Sequence, residues 1–100
     1  MKENLHVHIV DDHSLFREGL HFLLSKCDFI SEIEESENGK VFLEKIQTNV
    51  PDVVLMDIEM PVMNGLETTM AIRKIEGSKS HIPVIYDIHY IWKNWIIARK

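Results

Sequence analysis

Three aspartates stand where short apolar runs of this chain end. Asp11 and Asp12 follow the run at residues 5–10. Asp57 follows a second run at residues 53–56. Short runs rich in valine, isoleucine and leucine are typical of buried strands in a parallel sheet. Because ligands of open α/β sheets bind outside the carboxyl ends of the strands, we expect the three carboxylates to share one crevice.

Crowded carboxylates repel one another, and a cluster of oxygen ligands suits a hard cation such as Mg²⁺. An aspartate beside such a cation is ionised at neutral pH and can act as a nucleophile. Each aspartate alone would be interpreted as an ordinary capping or turn residue. As a spaced set, Asp11, Asp12 and Asp57 predict a site for phosphoryl transfer.

The elements that must position these aspartates are readable from the apolar pattern. Four short runs are predicted as strands, at about residues 5–10, 29–33, 52–56 and 82–86. Helical spacing follows the first three strands and begins near Ser14, Val41 and Leu66, with Ser14 as an N-cap. The acidic stretch Glu34–Asn38 is interpreted as a loop. The repeated βα pattern predicts a doubly wound parallel sheet with crossover helices.

Composition excludes several classes of function. The chain has 100 residues, which is one domain, and its hydrophobic fraction of 45% is that of an ordinary globular protein. Its formal net charge of −5 argues against direct nucleic-acid binding. The single cysteine, Cys27, fits a reducing cytoplasm. No signal peptide or membrane-spanning segment is expected.

The chain resembles the receiver domain of bacterial two-component response regulators over about residues 5–86. The resemblance rests on Val10-Asp11-Asp12-His13, on the segment from Asp57 to Gly65, and on Pro83-Val84-Ile85. It is greatest to the branch whose members carry a C-terminal helix-turn-helix DNA-binding domain. The resemblance implies a flavodoxin-like α/β fold with strand order 2-1-3-4, in which the usual fifth strand and helix are missing.

The resemblance also implies a role for each site residue. Asp57 matches the phospho-acceptor, which takes a phosphoryl group from a histidine kinase or a small acyl phosphate. Asp12 matches the direct Mg²⁺ ligand, and Asp11 matches the one that acts mostly through water. The backbone carbonyl of Glu59 matches the third protein ligand, and the metal would bridge Asp57 and the phosphoryl oxygens. Two residues would position the loop, Pro61 and Gly65.

Two family features have no match in this chain. The hydroxyl that would bind the phosphoryl group falls on Ile88, or on Asp87 if one residue is missing, and neither is Thr or Ser. The lysine of the fifth strand is also not found. Losing one such charged contact can slow transfer on the order of 10²-fold, so we expect weak phosphorylation.

The last segment of the chain departs from the family. We predict a receiver-like core at residues 1–86, an atypical helical segment at 87–100, and no output domain. Trp92 and Trp95 lie on one helical face of that segment and are interpreted as core or interface residues. Because an uncovered strand edge and apolar face invite pairing, we expect a homodimer, formed through residues 87–100.

Three functions remain open at this point. The leading one is a receiver that is not an enzyme, accepts a phosphoryl group on Asp57 and relays a conformational signal. A second is a degenerate, phosphorylation-independent interaction module. A third is a Mg²⁺-dependent aspartyl-phosphate phosphatase, which would want a second aspartate two residues after the nucleophile, where this chain has Glu59.

Histidines near the first strand offer a competing metal site. His6 and His8 share one face of that strand, so a zinc pair is conceivable, but a packed or strand-end role is favoured. His13 follows the acidic pair directly and is interpreted as a surface residue at the start of the first helix.

Overall fold

The computed structural model describes residues 4–76 and 82–86. Its strands are β1 (Leu5–Val10), β2 (Ile30–Ser36), β3 (Val53–Met56) and β4 (Val84–Tyr86). Its helices are α1 (Ser14–Leu24), α2 (Gly39–Lys45) and α3 (Gly65–Glu76). All neighbouring strands are parallel, in the order β2-β1-β3-β4. The predicted doubly wound, flavodoxin-like sheet with order 2-1-3-4 is confirmed.

The register of the sheet aligns the carboxyl ends of its central strands. Val10 of β1 is the partner of Met56 in β3 and of Ser36 in β2. The amide of Asp57 donates to the Val10 carbonyl at 2.9 Å, and the amide of Asp11 donates to the Ser36 carbonyl at 3.0 Å. The ladder therefore continues one residue past each strand and places Asp11 beside Asp57.

The main core lies between the sheet and the helices α2 and α3. Its buried members come from two strands, two helices and the connecting segments beside them: Val10, Phe42, Ile46, Val54, Met56, Met60, Ile72 and Ile82. Phe42 of α2 is fully buried and meets the ring of His8 edge-on, with centroids 4.7 Å apart. Burying a side chain of this size contributes about 1.5–3 kcal/mol, so the core holds the ends of β1 and β3 in place.

The second strand is longer than the sequence suggests. Glu34 and Glu35, which were predicted in a loop, belong to β2, because its pairing with β1 continues to Ser36. Both carboxylates find cationic or histidine partners: Glu34 meets His6, and Glu35 meets Arg17. The prediction of an acidic loop is wrong, since these long-range partners offset the low strand propensity of glutamate.

Two helix starts also differ from the prediction. The N-cap of α1 is His13 and not Ser14, and its side chain makes no capping hydrogen bond. Helix α2 begins at Gly39, because Asn38 is its N-cap and accepts from the Val41 amide at 2.9 Å. A capping side chain of this type contributes about 1 kcal/mol.

Several predictions fall outside the described residues. These are the helical segment at 87–100 with its tryptophans, the residues at the missing hydroxyl position, and the dimer contact. Within the described ranges, the structure contains no helix long and apolar enough to cross a membrane.

Candidate functional site

The three aspartates do meet at the carboxyl edge of the sheet. Asp11 follows β1 and is fully buried, whereas Asp57 follows β3 and is 2% exposed. One side-chain oxygen each from Asp11, Asp12 and Asp57 lies within 4.8 Å of the others and of a ring nitrogen of His13. The expectation that the carboxylates share one crevice is confirmed.

Backbone amides orient the two buried carboxylates. Oδ1 of Asp11 accepts a hydrogen bond from the His13 amide at 2.8 Å. Oδ1 of Asp57 accepts from the Glu59 amide at 3.2 Å. Each contact spans two residues, so it depends only on the local turn after the strand. The tight turns therefore contribute directly to the orientation of the two buried carboxylates.

His13 lies closer to this cluster than its sequence position alone suggests. Its Nδ1 is 3.2 Å from Oδ1 of Asp12, 3.4 Å from Oδ1 of Asp11 and 3.9 Å from Oδ2 of Asp57. The side chain is 47% exposed, which agrees with the predicted surface position before the first helix. The imidazole nevertheless faces all three carboxylates. The position of His13 directly after the acidic pair is the feature of the sequence that could have indicated this contact.

The donor set of this cluster fits a hard divalent cation. Two of its three carboxylates are almost completely buried, and Asp12 is 28% exposed at the rim. Like charges at this separation raise the free energy of the ionised state unless a cation lies between them. Mg²⁺ takes oxygen ligands and retains waters, so a pocket open at Asp12 suits it. Asp11, Asp12 and Asp57 are the residues that would hold it.

The loop after β3 brings a helix start against the strand end. The Gly65 amide donates to the Ile58 carbonyl at 2.8 Å. A Cβ at Gly65 would lie 2.5 Å from the Asp57 carbonyl oxygen, which is closer than real Cβ contacts allow. Only glycine therefore fits beside the backbone of Asp57.

A strained turn lies in the same loop. Val62 has a φ of 71°, and the Met63 amide donates to the Pro61 carbonyl at 2.7 Å around it. A β-branched residue in the left-handed region costs on the order of 1–3 kcal/mol and is found most often at functional sites. The roles given to Pro61, Gly65 and the Glu59 carbonyl stay predictions.

Arg17 of α1 is a residue that the sequence reasoning missed. Its Nη1 donates to the backbone carbonyl of Asp11, and its Nε donates to Oε1 of Glu35 at 2.8 Å. Nδ1 of His21 is 2.5 Å from the second oxygen of the same glutamate. Arg17 thus ties the acidic turn to β2 and to its own helix.

His8 packs inside the protein and is no partner for His6 in a metal site. Its Nε2 is 2.6 Å from Oγ of Ser36, and the residue is fully buried. Burial, together with the nearby charges of Lys45 and His6, lowers the pKa of His8 to about 4. The imidazole is therefore neutral at physiological pH, and its contacts agree with the favoured packed role.

Comparison with known proteins agrees with this geometry. The family model described as "Response regulator receiver domain" matches residues 7–86. The transcriptional regulatory protein YdfI of Bacillus subtilis is 46% identical over 77 residues, which are 77% of this chain and 34% of that protein. The protein-glutamate methylesterase/protein-glutamine glutaminase of Clostridium acetobutylicum is 41% identical over 83 residues, which are 83% of this chain and 23% of that protein.

Solved structures show the same relationship. The receiver domain of the histidine kinase CKI1 from Arabidopsis thaliana, complexed with Mg²⁺ and BeF₃⁻, matches with a TM-score of 0.74 and 32% identity. That match covers 82% of this chain and 64% of the other. The receiver domain of NarL from Mycobacterium tuberculosis matches with a TM-score of 0.69 and 36% identity, over 82% of this chain and 62% of the other. This chain belongs to the response regulator receiver domain family.

Proposed function

We propose that this chain is a phospho-accepting receiver domain that takes a phosphoryl group on Asp57 and relays a conformational signal. One observation carries the proposal: a carboxylate that is 2% exposed lies beside two further aspartates at the carboxyl edge of a parallel sheet. The histidine kinase expected as donor, and the cytoplasmic setting, come from the family and remain proposals for this chain. Homodimer formation is also a proposal for this chain, and a measurement of its mass in solution at two concentrations would test it.

The transfer uses one oxygen of Asp57 as the nucleophile. That oxygen forms a bond to phosphorus while the bond between phosphorus and the donor breaks, and the electron pair leaves with the donor. The product is an acyl phosphate on Asp57. The Glu59 amide, which already donates to Oδ1, keeps the carboxylate in one orientation during the approach of the donor.

Two neighbouring carboxylates create the need for a cation. Asp11 and Asp12 would hold Mg²⁺ against Asp57, with the Glu59 carbonyl as a further ligand. When bound, Mg²⁺ neutralises charge on the phosphoryl oxygens. Without it, an incoming phosphoryl group would meet three negative side chains. The structure of the related CKI1 receiver domain in complex with Mg²⁺ supports this assignment.

The chain's own sequence supports a second candidate. Neither Ile88 nor Asp87 can supply the hydroxyl expected after β4, so a phosphorylation-independent interaction module is the alternative. A phosphatase has less support, since Glu59 stands where that chemistry uses an aspartate. Glu59 is exposed, and its contact with Asp57 comes from its backbone amide. We infer that the chain accepts a phosphoryl group without turning over substrate.

Intact mass spectrometry after incubation with Mg²⁺ and acetyl phosphate tests these functions. We expect the gain of one phosphoryl group, complete loss of that gain in Asp57→Asn, and a normal gain in the matched variant Glu59→Gln. Failure of the wild-type chain to gain mass would overturn the receiver proposal in favour of the interaction module. Continuous release of phosphate, lost in Asp57→Asn, would favour the phosphatase.

A further inference from the structure

A second cluster of metal-ligand side chains lies at the other end of β1. His6 is on β1, and Glu32 and Glu34 are on β2, where the register pairs His6 with Glu32 and His8 with Glu34. One ligand atom from each of His6, Glu32 and Glu34 lies within 4.8 Å of the others. Since β1 rises about 3.3 Å per residue, His6 is about 16 Å along the strand from Asp11. This cluster is therefore separate from the acidic pocket.

The His6 side chain is 9% exposed, and its Nε2 faces the carboxylates. Oε1 of Glu34 is 2.8 Å from Nε2, and Oε2 of Glu32 is 3.9 Å from it. Despite the short separation, Nε2 makes no hydrogen bond, so the Glu34 oxygen lies off the line of a ring N–H. A buried ring nitrogen that lies close to two carboxylates without a hydrogen bond has the position that a ligand of a shared cation would have.

The spacing of these atoms matches a coordination shell. Zn²⁺ binds nitrogen and carboxylate oxygen at about 2.0–2.2 Å, so two ligands of a tetrahedral site are about 3.4 Å apart. The two separations from Nε2 of His6 fall on either side of that value. A ligand set of one imidazole and two carboxylates is mixed, which favours a borderline metal such as Zn²⁺ over Mg²⁺.

Asn49 supplies the fourth side of the cluster. Its Nδ2 donates to Oε2 of Glu32 at 2.8 Å and to Oε1 of Glu34 at 2.9 Å, which are the two oxygens nearest His6. A half-turn of the amide would bring its Oδ1 to the same point as an oxygen ligand. Asn49 thus holds the two carboxylates together without metal and can complete the shell around one.

We propose that His6, Glu32, Glu34 and Asn49 form a binding site for a borderline divalent cation of the Zn²⁺ class. Imidazole and carboxylates bind it on the face of the β1–β2 pair that also carries His8. Binding of the cation ties the amino end of β1 to β2 and to the turn after α2. The site does not depend on phosphorylation of Asp57.

Titration of the full chain with Zn²⁺, in excess Mg²⁺, tests this site. The readouts are calorimetry and the ring ¹⁵N resonances of His6, assigned by their absence in His6→Gln. We expect Zn²⁺ to shift the Nε2 resonance of His6 and to bind at least tenfold more weakly to Glu34→Gln and Glu32→Gln. The matched variant Glu37→Gln, an exposed glutamate of the same acidic stretch, should bind like wild type.

A second control separates the two ends of the strand. Asp12→Asn, in the acidic pocket, should leave the His6 response to Zn²⁺ intact, and Asn49→Ala should weaken it. The proposal is overturned if Zn²⁺ leaves the His6 resonances unchanged, if Glu34→Gln binds like wild type, or if all Zn²⁺ binding disappears in Asp12→Asn. In those cases His6 and Glu34 form only an ion pair.

Discussion

The two ends of β1 carry clusters of different chemistry. At the carboxyl end, Asp11 and Asp12 meet Asp57 from the neighbouring β3, and the three carboxylates lie beside the half-exposed imidazole of His13. At the amino end, His6 meets Glu32 and Glu34 from β2, so nitrogen and oxygen are mixed. One strand thus carries a carboxylate-rich cluster with an exposed imidazole at one end and a cluster around a buried imidazole at the other, because its two neighbours contribute different side chains.

The clusters also differ in how they are held. Asp11 and Asp57 are buried and take hydrogen bonds from backbone amides two residues away. Glu32 is 49% exposed and Glu34 is 26% exposed, and a side chain, Asn49, links them. Exposed side chains lose rotamer entropy when a ligand binds, whereas backbone donors that are already fixed lose none. The acidic pocket is therefore preorganised, and the histidine cluster adapts.

Crossed substitutions give the largest expected effect. Asp11→Asn removes one charge from the acidic cluster and should weaken Mg²⁺ binding about a hundredfold, since even outer-shell changes cost 10- to 100-fold. Its effect on Zn²⁺ at His6 should stay below about twofold, because salt screens charges at that separation. Calorimetric titrations with each metal measure both effects.

The reverse substitution completes the crossed design. Glu34→Gln should lower Zn²⁺ affinity while leaving Mg²⁺ affinity at the acidic pocket unchanged. If either variant weakened the binding of both metals equally, the two ends of β1 would be energetically coupled and would not be two independent sites.

A smaller effect is expected from His8, which lies between the two clusters. Its pKa falls from 6.5 in the unfolded chain to about 4 in the fold, chiefly because burial disfavours the charged ring. The unfolded state therefore binds more protons between these values, so stability is full above pH 6.5 and falls as pH drops toward 4. Between pH 7 and pH 5, the titration of His8 should therefore lower the free energy of unfolding by about 2 kcal/mol.

Urea unfolding at pH 7, 6 and 5 measures this loss. His8→Asn removes the titrating ring but keeps a polar side chain near Ser36. Its unfolding free energy should therefore fall by about 2 kcal/mol less than that of wild type between pH 7 and pH 5. His21→Asn is the matched control, because His21 is a partly exposed histidine on α1. Equal pH dependence of wild type and His8→Asn would show that His8 is not the buried neutral group.

The cluster at the carboxyl end of β1 could be predicted from the sequence, whereas the cluster at its amino end could not, and the difference has a physical reason. Asp11 and Asp57 each follow an apolar run, and the ends of neighbouring parallel strands always meet. Local pattern was therefore enough to bring them together. The strand order and the crossover helices followed from the same alternation, without any tertiary contact.

The partners of His6 could not be found in this way. Glu34 looked like part of an acidic loop, since glutamate is a poor strand former and no local residue balances its charge. Only the register between β1 and β2 brings Glu34 to His6, and Glu35 to Arg17. Pairings across a sheet between unlike side chains leave no periodic signal in the sequence.

The smallest predicted effect concerns the loop that supports the acidic pocket. Gly65→Ala would place a Cβ 2.5 Å from the Asp57 carbonyl oxygen, so the backbone there must shift. We expect a loss of about 1.5 kcal/mol in unfolding free energy, as for other overpacked sites, and weaker Mg²⁺ binding with unchanged Zn²⁺ binding.

Gly19→Ala is the matched control in α1, where a Cβ would meet nothing within 4 Å. Replacing an unobstructed helix glycine should stabilise the protein by about 0.5–1 kcal/mol. Opposite signs for the two substitutions, measured by urea unfolding, would show that Gly65 is required by its close contact with Asp57. A Gly65→Ala variant with wild-type stability and Mg²⁺ affinity would instead mean that the acidic turn tolerates displacement, and that its carboxylates are less rigidly held than those at the other end of β1.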